Sequence, residues 1–431
     1  MVLTDEMKKV MDLIENTNDN MFVTGKAGTG KTTFLKYLIK HTTKKCVIAA
    51  PTGIAAINAG GVTLHSMFGL PFNPITPTER LEYRFTEKKS EMLLQLEVLI
   101  IDEVSMVRPD VLDTVDRKLR WVRESKEPFG DVQVIMFGDL YQLPPVAKKE
   151  DKELLDEFYD NYYFFNAVVW KRTFFHVIEL SKVFRQTDVE FVGILNHIRN
   201  YMVTSEELDV LSELKDSKKA KDFNTDYIHI CTHKRDVEKI NTEMLGEPTH
   251  TFDCTMDGKF PESSIPCPLH LQLRVGARVM TIVNNHADGY YNGTIGNIVE
   301  IGNDEITVQL DNSKRKVKVK KNKWINNEFV LEDGEIVAKE IGSCTQYPLT
   351  LAWAITIHKS QGLTFDKAVL HLSKTFCPGQ LYVALSRCRT LDGIVLDGYI
   401  TKRMVITDYA LTDFERTYLE NGGLYGTKIE S

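Results

Sequence analysis

The sequence predicts an α/β protein with two lobes, each built on a parallel β-sheet, and a small β-barrel inserted in the second lobe. In the first lobe, short apolar runs alternate with helical stretches, among them MFVTG, KTTFLKYLIK, LEVLIIDE and VQVIMFGD. Runs without polar interruption, such as VLII and VIMF, are typical of strands covered on both faces by helices. We therefore expect the first lobe over residues 1–180, with an excursion from the sheet in the proline-containing stretch 71–90.

The second lobe is expected over residues 181–431. A buried strand followed by a helix begins with YIHICTHKRDVEKINTEML at residue 227, and the α/β pattern resumes with KAVLHLS and GIVLDG. Between these parts, LQLRVGARVMTIVNN, EITVQLD and RKVKVKK are short alternating strands separated by Gly, Asn and Asp turns. This different texture predicts a small β-barrel or meander over about 273–345, inserted in the second lobe.

Composition excludes several classes of protein. A chain of 431 residues that is 43% hydrophobic is too long for one compact domain. The formal net charge of -7 argues against a surface coated in basic residues for bulk nucleic-acid binding, although KRKVKVKKNK at 314–323 is either a solvated strand face or a local groove. Seven scattered cysteines without a CxxC pair suggest neither a zinc site nor a disulfide framework.

The N-terminal stretch and the absence of long apolar runs bear on location. MVLTDEMKKVMDLIENTND reads as a capped amphipathic helix and lacks the apolar core of a signal peptide. No apolar run approaches the roughly 18–20 residues needed to span a bilayer. We expect an intracellular protein, cytoplasmic if bacterial or phage-type, and nuclear or mitochondrial if it is the core of a eukaryotic protein.

A phosphate-binding loop is predicted at GKAGTGKT, residues 25–32, which fits G-x-x-x-x-G-K-[ST] between a strand and a helix. The glycines let backbone N–H groups surround the β-phosphate, Lys31 reaches the β- and γ-phosphates, and the Thr32 hydroxyl can ligate Mg²⁺. A chance glycine turn before a helix is the alternative. The expected nucleotide-binding residues are Gly25, Ala27, Gly28, Thr29, Gly30, Lys31, Thr32 and Thr33, and the expected cofactors are ATP and Mg²⁺.

Two further elements predict hydrolysis of the nucleotide. EVLIIDEVSM is an apolar strand that ends in Asp102, which suits Mg²⁺, and Glu103, which is placed to act as general base toward water. A surface acidic pair at a strand end is the alternative. In FGDLYQLPPV, Gln142 follows a third strand and could orient the water, although GDxxQ alone is a weak signal. An acidic pair suits attack by water better than transfer to a bound acceptor.

Eight blocks, in order along the chain, resemble superfamily 1 helicases of the 5′-to-3′ group, the RecD-like enzymes and the PIF (petite integration frequency) family. They are GKAGTGKT, APTGIAA (50–56), GVTLHSMFGL (61–70), LIIDEVSM (99–106), FGDLYQLPPV (137–146), VFRQ (183–186), ITIHKSQGLTFD (355–366) and YVALSRCR (382–389). The Phe-Gly strand entry in KEPFGDVQVIM resembles the PIF family rather than RecD itself.

The resemblance implies two RecA-like lobes, a wedge insertion at about 64–80 and an inserted barrel similar to the Src-homology-3 fold. It also implies an ATP hydrolase stimulated by DNA, which moves 5′ to 3′ on single-stranded DNA and unwinds duplexes, forked junctions and G-quadruplexes. Roles in DNA repair, DNA recombination and telomere maintenance are implied in the same way. The protein is expected to be a monomer when it is not bound to DNA.

The resemblance also assigns residues. Arg185 and Arg387 match positions that contact the γ-phosphate once the lobes close, with surface salt bridges as the alternative, and Gly362 matches a backbone position near the nucleotide. Imidazoles, hydroxyls, backbone groups and aromatic rings are expected to contact DNA at Pro51, Thr52, Thr63, His65, Phe68, Phe72, His358 and Ser360. Structural histidines and ordinary core packing of the two phenylalanines are the alternatives.

One departure concerns the base of the nucleotide. Members of the family usually have a glutamine upstream of the phosphate loop that recognises adenine, and the matching position is Met7. A methionine makes no bidentate hydrogen bond, so looser discrimination among nucleotides is expected. The alternatives to a helicase are a nucleotide-dependent switch that does not translocate and a DNA-binding module with a vestigial ATPase.

Overall fold

The computed structural model describes residues 3–81, 83–186, 188–311, 313–372, 375–421 and 424–425. Residue contacts divide the chain into two compact units. The first unit comprises Met1–Phe184, Asn326–Ile341 and Asp408–Ser431. The second unit comprises Arg185–Ile325 and Gly342–Thr407.

The α-helices of the described residues, in chain order, are α1 (Asp5–Asn16), α2 (Lys31–His41), α3 (Gly53–Ala59), α4 (Leu64–Phe68), α5 (Glu87–Gln95), α6 (Pro109–Val122), α7 (Lys149–Leu155), α8 (Val168–Lys171), α9 (Val189–Arg199), α10 (Ser205–Glu213), α11 (Lys234–Leu245), α12 (Ile357–Ser360), α13 (Gln380–Leu385) and α14 (Tyr409–Glu420). None of the helices in this part of the chain is both long enough and apolar enough to cross a membrane.

The β-strands over the same residues are β1 (Asn20–Gly25), β2 (Cys46–Ala50), β3 (Val62–Thr63), β4 (Val98–Ile101), β5 (Gln133–Gly138), β6 (Phe175–Leu180), β7 (Ile228–Cys231), β8 (His250–Asp253), β9 (Thr255–Gly258), β10 (His270–Leu273), β11 (Arg278–Thr281), β12 (Ile295–Ile301), β13 (Glu305–Leu310), β14 (Lys316–Lys320), β15 (Asn322–Glu332), β16 (Glu335–Gln346), β17 (Leu349–Leu351), β18 (Ala354–Thr356), β19 (Ala368–His371), β20 (Ile394–Leu396) and β21 (Leu424–Tyr425).

The first unit is built on a seven-stranded sheet in the order β21-β6-β1-β5-β4-β2-β3. All its neighbouring strands are parallel except β21, which pairs antiparallel with β6. Every residue of β4 and β5 is buried, as expected for strands covered on both faces. The predicted parallel sheet of the first lobe is therefore confirmed, and β1, β5 and β4 lie side by side.

Helix α1 shows how the local sequence directs packing in the first unit. The Thr4 side chain caps the helix by accepting a hydrogen bond from the backbone N–H of Met7. Met7, Val10 and Ile14, at helical spacing, are fully buried in the same core as strands β1, β4 and β5. Met7 is therefore a core side chain in this structure and offers no surface to a base.

The second unit contains its own parallel sheet, in the order β18-β7-β19-β20. It also contains a five-stranded antiparallel sheet in the order β14-β13-β12-β11-β17. Strands β11 to β14 fall in the segment where short alternating strands were predicted, and β17 follows that segment. Buried side chains alternate with half-buried ones along β13 and with exposed ones along β14, because one face of the sheet packs on a core while the other is accessible to solvent. Its likeness to a Src-homology-3 fold stays a prediction.

The C-terminal segment differs from the sequence-based assignment. The sequence predicts that the second lobe extends to residue 431, but the contacts of the described residues from Asp408 onward place them in the first unit. The Phe414 ring of α14 stacks on Phe165 at 4.4 Å between ring centroids, and it lies 5.9 Å from the ring of Trp170. Residues 422–423 and 426–431 lie outside the described residues. The other expected boundaries, at residue 180 and at about 273–345, stay predictions.

Candidate active site

The phosphate loop joins β1 to α2 through glycines in unusual backbone conformations. Gly28 and Gly30 have φ angles of 85° and 81°, in the left-handed region that glycine adopts without steric cost. The ammonium group of Lys31 donates hydrogen bonds to the carbonyl oxygens of Gly25 (2.6 Å) and Lys26 (3.1 Å), so it lies across the loop. A lysine held there is in position to exchange carbonyl partners for phosphate oxygens.

Residue Phe184 supports this loop, and the sequence analysis did not assign it a role. Its backbone N–H donates to the carbonyl oxygen of Gly28 at 2.8 Å. A Cβ atom placed on Gly30 would lie 3.7 Å from the Phe184 ring, so the ring packs beside the turn. Phe184 stands within the VFRQ block, directly before Arg185, and that position was the one available signal.

The acidic pair lies at the end of β4. Glu103 has φ 51° and ψ 43°, a left-handed conformation that is uncommon for a residue other than glycine. Its backbone N–H donates to Oδ1 of Asp102 at 2.9 Å. Left-handed residues of this kind cluster at functional sites, where the surrounding structure holds them against their conformational cost.

The carboxyl group of Asp102 has an altered proton affinity. It is 5% exposed. Burial, and then the negative charge of Glu103, raise the pKa of Asp102 to about 7, while Lys31 and Lys36 act in the opposite direction. The carboxyl group is therefore divided between its protonated and ionised forms near neutral pH.

The side chains at this edge fit a magnesium ion. Mg²⁺ prefers hard oxygen ligands, and it is usually held by one or two carboxylates together with substrate phosphates. The buried carboxyl group of Asp102 and the exposed hydroxyl of Thr32, in the first turn of α2, supply oxygen ligands of that type. A bound divalent cation would favour the ionised form of Asp102.

Gln142 follows β5 and is held by its own loop. Its side-chain amide donates to Oδ2 of Asp139 at 3.2 Å, and its backbone N–H donates to the Asp139 carbonyl oxygen at 3.0 Å. The other oxygen of that carboxylate accepts from the backbone N–H of Tyr141 at 3.2 Å. Asp139 thus fixes the direction of the Gln142 side chain, a role that the sequence analysis missed although GDxxQ contains it.

The three predicted elements of the nucleotide site meet at one edge of the first sheet. The phosphate loop follows β1, the acidic pair follows β4 and Gln142 follows β5, and β5 lies between the other two strands. Ligands of open parallel sheets bind outside the carboxyl ends of the strands. The first unit therefore brings a lysine, a carboxyl pair and an amide together where such a ligand binds.

Arg185 lies in the second unit and has weak partners there. Its Nη1 is 3.4 Å from the carbonyl oxygen of Ser386, and its Nη2 is 3.4 Å from that of Gly362. Both distances are at the long end for hydrogen bonds, so little energy is lost when they break. Gly362 has φ 74° and open space where a Cβ would stand.

Arg387 is held far more firmly, and only 1% of it is exposed. Its guanidinium donates to the carbonyl oxygens of Val383 (2.8 Å) and Ser360 (3.1 Å) and to the hydroxyl of Ser386 (2.7 Å). The two arginines are close neighbours, since both reach the segment Ser360–Gly362 and residue Ser386. In this conformation Arg387 supports that segment, and contact with a phosphate would require it to leave these acceptors.

Four of the predicted DNA contacts of the first unit lie together. Strands β2 and β3 are parallel neighbours with Ala50 opposite Thr63, so the residues that follow them share one edge. The Thr52 and Thr63 hydroxyls cap α3 and α4 by accepting from backbone N–H groups at 3.3 and 3.1 Å. Pro51 precedes the first cap and His65 follows the second.

The two predicted aromatic contacts have different environments. Phe72 is 74% exposed, and its ring stacks on His65 at 5.0 Å. Phe68 is fully buried, and the Lys118 ammonium donates to its carbonyl oxygen at 2.8 Å. Phe68 thus has the packing role that the sequence left open, because the apolar face of α4 points inward, and we do not retain it as a DNA contact.

The expected wedge, residues 64–80, is fixed to helix α6. Apart from the Lys118 contact with α4, the backbone N–H of Ile75 donates to Oδ2 of Asp110 at 3.0 Å. Asp110 is fully buried and forms a salt bridge with Arg108 at 2.8 Å. The segment is therefore an anchored part of the first unit.

The DNA contacts predicted in the second unit are partly enclosed. His358 is half-buried, and burial lowers the pKa of its imidazole below the ordinary value. Ser360 is fully buried, and its hydroxyl donates to the carbonyl oxygen of Ile357 at 2.7 Å. The Ser360 side chain therefore cannot reach a DNA phosphate in this arrangement, whereas that of His358 remains accessible in part.

A polar cleft lies beside the antiparallel sheet of the second unit. Its volume is about 390 Å³, and its lining includes His286, Asp288, Lys320 and Lys321. Lys316, Lys318 and Lys320 are all exposed on β14, while the valines between them are buried. The lysine run therefore forms a solvated strand face that also contributes to one end of the cleft.

Comparison with known proteins agrees with this architecture. The family model described as PIF1-like helicase matches residues 2–207. A Bdellovibrio bacteriovorus protein named ATP-dependent DNA helicase Pif1 is 33% identical over 427 residues, covering 96% of this chain and 92% of that protein.

Solved structures of Pif1 from Bacteroides sp. give a stronger match, at 64% identity. The structure in complex with ADP-AlF4 has a TM-score of 0.95 and covers 100% of both chains. The structure bound to ssDNA has a TM-score of 0.74 with the same coverage. The two α/β units with parallel sheets are the RecA-like lobes that the sequence predicted, and this chain belongs to the PIF1-like helicase family.

Proposed function

We propose that this protein is an ATP-dependent DNA helicase that moves 5′ to 3′ on single-stranded DNA and unwinds duplexes, forked DNA and G-quadruplexes. Family membership supports the activity of an ATP-dependent DNA helicase. The observation that carries the proposal is the convergence of Lys31, the Asp102–Glu103 pair and Gln142 on adjacent strands of the first unit. Direction, quadruplex unwinding and roles in repair, recombination and telomere maintenance rest on the resemblance of the motifs.

The proposed nucleotide is ATP, bound by the loop that spans Gly25–Thr33. Lys31 contacts its phosphates, and Thr32 and Asp102 would hold Mg²⁺, which neutralises charge on the phosphate oxygens when bound. Glu103 accepts a proton from the attacking water, and Gln142 orients that water. Glu103 follows the end of β4 directly after Asp102, in a left-handed backbone conformation of the kind found at functional sites.

Arg185 is proposed to contact the γ-phosphate directly, whereas Arg387 is proposed to act on it only through the backbone segment that it supports. An arginine supplied in this way stabilises charge that develops in the transition state. Arg185 is the better candidate for direct contact, since its present partners are both 3.4 Å away. Arg387, whose guanidinium is buried, is proposed to keep the segment Ser360–Gly362 in the conformation that Arg185 also contacts.

Single-stranded DNA is proposed to lie on the edge that carries Pro51, Thr52, Thr63, His65 and Phe72, and to reach His358. Exposure of Phe72 supports this, because bases stack on accessible aromatic rings with roughly 1–3 kcal/mol per base. The Bacteroides relative bound to ssDNA supports the same class of partner. A monomer off DNA is part of the proposal.

ATP hydrolysis is proposed to drive strand separation at the wedge, residues 64–80. Stacking in duplex DNA averages about 1.4 kcal/mol per step, so a passive wedge cannot open a long duplex. The anchoring of this segment by Asp110 and Lys118 supports a rigid pin rather than a loose loop.

Strand displacement on tailed duplexes tests the proposal. We expect the full chain with ATP and Mg²⁺ to unwind a duplex with a 5′ single-stranded tail, and to leave the same duplex with a 3′ tail intact. The matched control is Lys31→Ala, which should bind the DNA but displace nothing. Equal unwinding of both substrates, or unwinding of the 3′ tail alone, would contradict the direction, and a quadruplex placed behind the same 5′ tail tests the finer claim.

A further inference from the structure

Three cysteines that are far apart in the sequence meet in the second unit. The Sγ atoms of Cys254, Cys267 and Cys344 all lie within 4.8 Å of one another. Cys267 and Cys344 are 77 positions apart, and their Sγ atoms are separated by 3.7 Å. Nothing in the spacing of these residues indicated a common site, because no two of them form a CxxC pair.

The backbone holds each of the three cysteines in a defined place. Cys254 lies between β8 and β9, and its backbone N–H donates to the carbonyl oxygen of Leu269 at 2.8 Å. Cys344 belongs to β16, opposite Met256 of β9 in the antiparallel ladder. Cys267 lies in the loop that leads to β10. The cluster therefore joins three separate segments of the second unit.

The cluster is closed on one side and accessible on the other. Cys344 is fully buried and Cys267 is 8% exposed. Cys254 is half-buried, so solvent reaches the group through this residue. A small ion could enter there, and a fourth ligand could remain exchangeable.

The distances match those of a metal-thiolate site rather than those of a disulfide. A Zn–S bond of about 2.3 Å in a tetrahedral site places neighbouring sulfur atoms about 3.8 Å apart. The observed 3.7 Å between Cys267 and Cys344 agrees with that edge. A disulfide needs about 2.05 Å. The third sulfur, within 4.8 Å of the other two, needs a shift of about 1 Å or less to complete the site.

We propose that Cys254, Cys267 and Cys344 bind one zinc ion as thiolates, with a water molecule in the fourth position on the side of Cys254. Open sites with three protein ligands and one exchangeable ligand are an established zinc arrangement. This inference rests on the second unit alone and is independent of the proposed helicase function.

A divalent metal ion suits a cluster of three thiols. A zinc ion displaces the protons itself and reduces the charge of three thiolates from three negative units to one.

Metal analysis of the full chain tests the proposal. After reduction, incubation with Zn²⁺ and dialysis, we expect one zinc per chain by mass spectrometry of the metal. Substitution with Co²⁺ should give the thiolate charge-transfer absorption that a magnesium-type oxygen site cannot produce. Zinc at a hundredfold excess over its Kd should raise the Tm of the second unit by roughly 5 °C or more.

Single substitutions localise the site. Cys254→Ser removes the half-buried ligand with little risk to the core, and we expect it to lose the cobalt band and to weaken zinc binding at least tenfold. Cys377→Ser, a half-buried cysteine outside the cluster, is the matched control and should bind as the unmodified chain does. Unchanged cobalt absorption in Cys254→Ser would overturn the proposal. So would a Cys267–Cys344 disulfide in the metal-treated chain, found by peptide mapping without reduction.

Discussion

The two parallel sheets carry different chemistry at their carboxyl edges. In the first sheet, Lys31, the Asp102–Glu103 pair and Gln142 lie in the segments that follow three adjacent strands. In the second unit, the segment Ser360–Gly362 follows β18, and its backbone carbonyl oxygens accept hydrogen bonds from Arg185 and Arg387. In the proposed mechanism, these residues of the first unit bind the triphosphate and activate the attacking water. The second unit adds the two positively charged guanidinium groups, which stabilise a ligand only where negative charge develops on it.

The two arginines of the second unit also differ from each other. Arg185 has two contacts of 3.4 Å, whereas Arg387 is buried and satisfies several acceptors at shorter distances. A buried acceptor that loses its donor costs about 1–3 kcal/mol, but a long, weak contact costs little to break. Residues that look equivalent in sequence therefore separate into one that can contact ligand and one that supports the backbone.

The largest expected effect separates these arginines. Arg185→Ala should lower the DNA-stimulated kcat by about 10³-fold or more, as for other arginines that stabilise a phosphoryl transition state, while Tm stays unchanged. Arg387→Ala should lower both kcat and Tm, because the carbonyl oxygens of Val383 and Ser360 lose a buried donor. Steady-state ATPase assays and thermal unfolding of both variants measure this. If Arg185→Ala kept the Tm of the unmodified protein and a tenth or more of its kcat, direct contact between Arg185 and the γ-phosphate would be refuted.

The next effect tests the acidic pair of the first unit. Glu103→Gln should lower kcat by about 10²–10⁴-fold, because it removes the proton acceptor, and should leave nucleotide affinity nearly intact. Glu124→Gln is the matched control, since Glu124 is an exposed glutamate that also has a positive φ, 49°. ATPase assays and nucleotide titrations provide the measurements. If Glu103→Gln hydrolysed ATP at the rate of the unmodified protein, a residue other than Glu103 would have to be the general base.

The pH dependence of nucleotide binding tests the role of Asp102 at the edge of the first sheet. The pKa of Asp102 is raised on folding from 3.8 to about 7, so the folded state holds this proton more tightly than the unfolded state. The stability that this proton contributes is present at low pH and is lost as pH rises through about 7.

Mg²⁺ binding needs the ionised carboxylate, so affinity for Mg²⁺-ADP should be about tenfold weaker at pH 6 than at pH 8. In Asp102→Asn, the tenfold change in affinity that comes from ionisation of Asp102 should be absent. The remaining pH dependence is that of the nucleotide itself. Fluorescence titration of both proteins across this range measures the difference. Parallel pH profiles for the two proteins would show that Asp102 is not a ligand.

A smaller effect compares the DNA contacts of the two units. Phe72→Ala should weaken binding of single-stranded DNA by roughly tenfold, because one exposed stacking ring is lost. Ser360→Ala should leave affinity unchanged, since its hydroxyl is buried and bonded to Ile357. Trp121→Ala, which removes an exposed ring that stacks on Tyr83, is the control. Fluorescence anisotropy gives the three dissociation constants, and an intact Kd for Phe72→Ala would remove this residue from the interface.

The smallest expected effect concerns the base. With Met7 in the core and no glutamine at its position, kcat/KM for GTP should lie within roughly tenfold of that for ATP. Hydrolysis of ATP, GTP and CTP under identical conditions measures the ratios. Strict dependence on ATP would show that another group recognises adenine.

A motif could be predicted from the sequence where its functional residues are neighbours along the chain. The phosphate loop needs a strand, glycines and a helix in succession, and the structure has that order from β1 to α2. Environment was not predictable for single side chains. Phe68 and Phe72 are four positions apart, but one is fully buried and the other is 74% exposed, because the helix that contains Phe68 ends before Phe72. No sequence pattern predicted that the Arg387 side chain is buried.

The sequence by itself determined the fold class, the two parallel sheets and the order of the nucleotide-binding elements, because each depends on short contiguous patterns of polarity and glycine. Tertiary structure alone decided that α14 (Tyr409–Glu420) packs in the first unit, that Arg387 is buried, and that Cys254, Cys267 and Cys344 meet. Such contacts join segments separated by tens to hundreds of residues. Their formation depends on how distant segments are brought together within each folded unit, and local periodicity does not encode that arrangement.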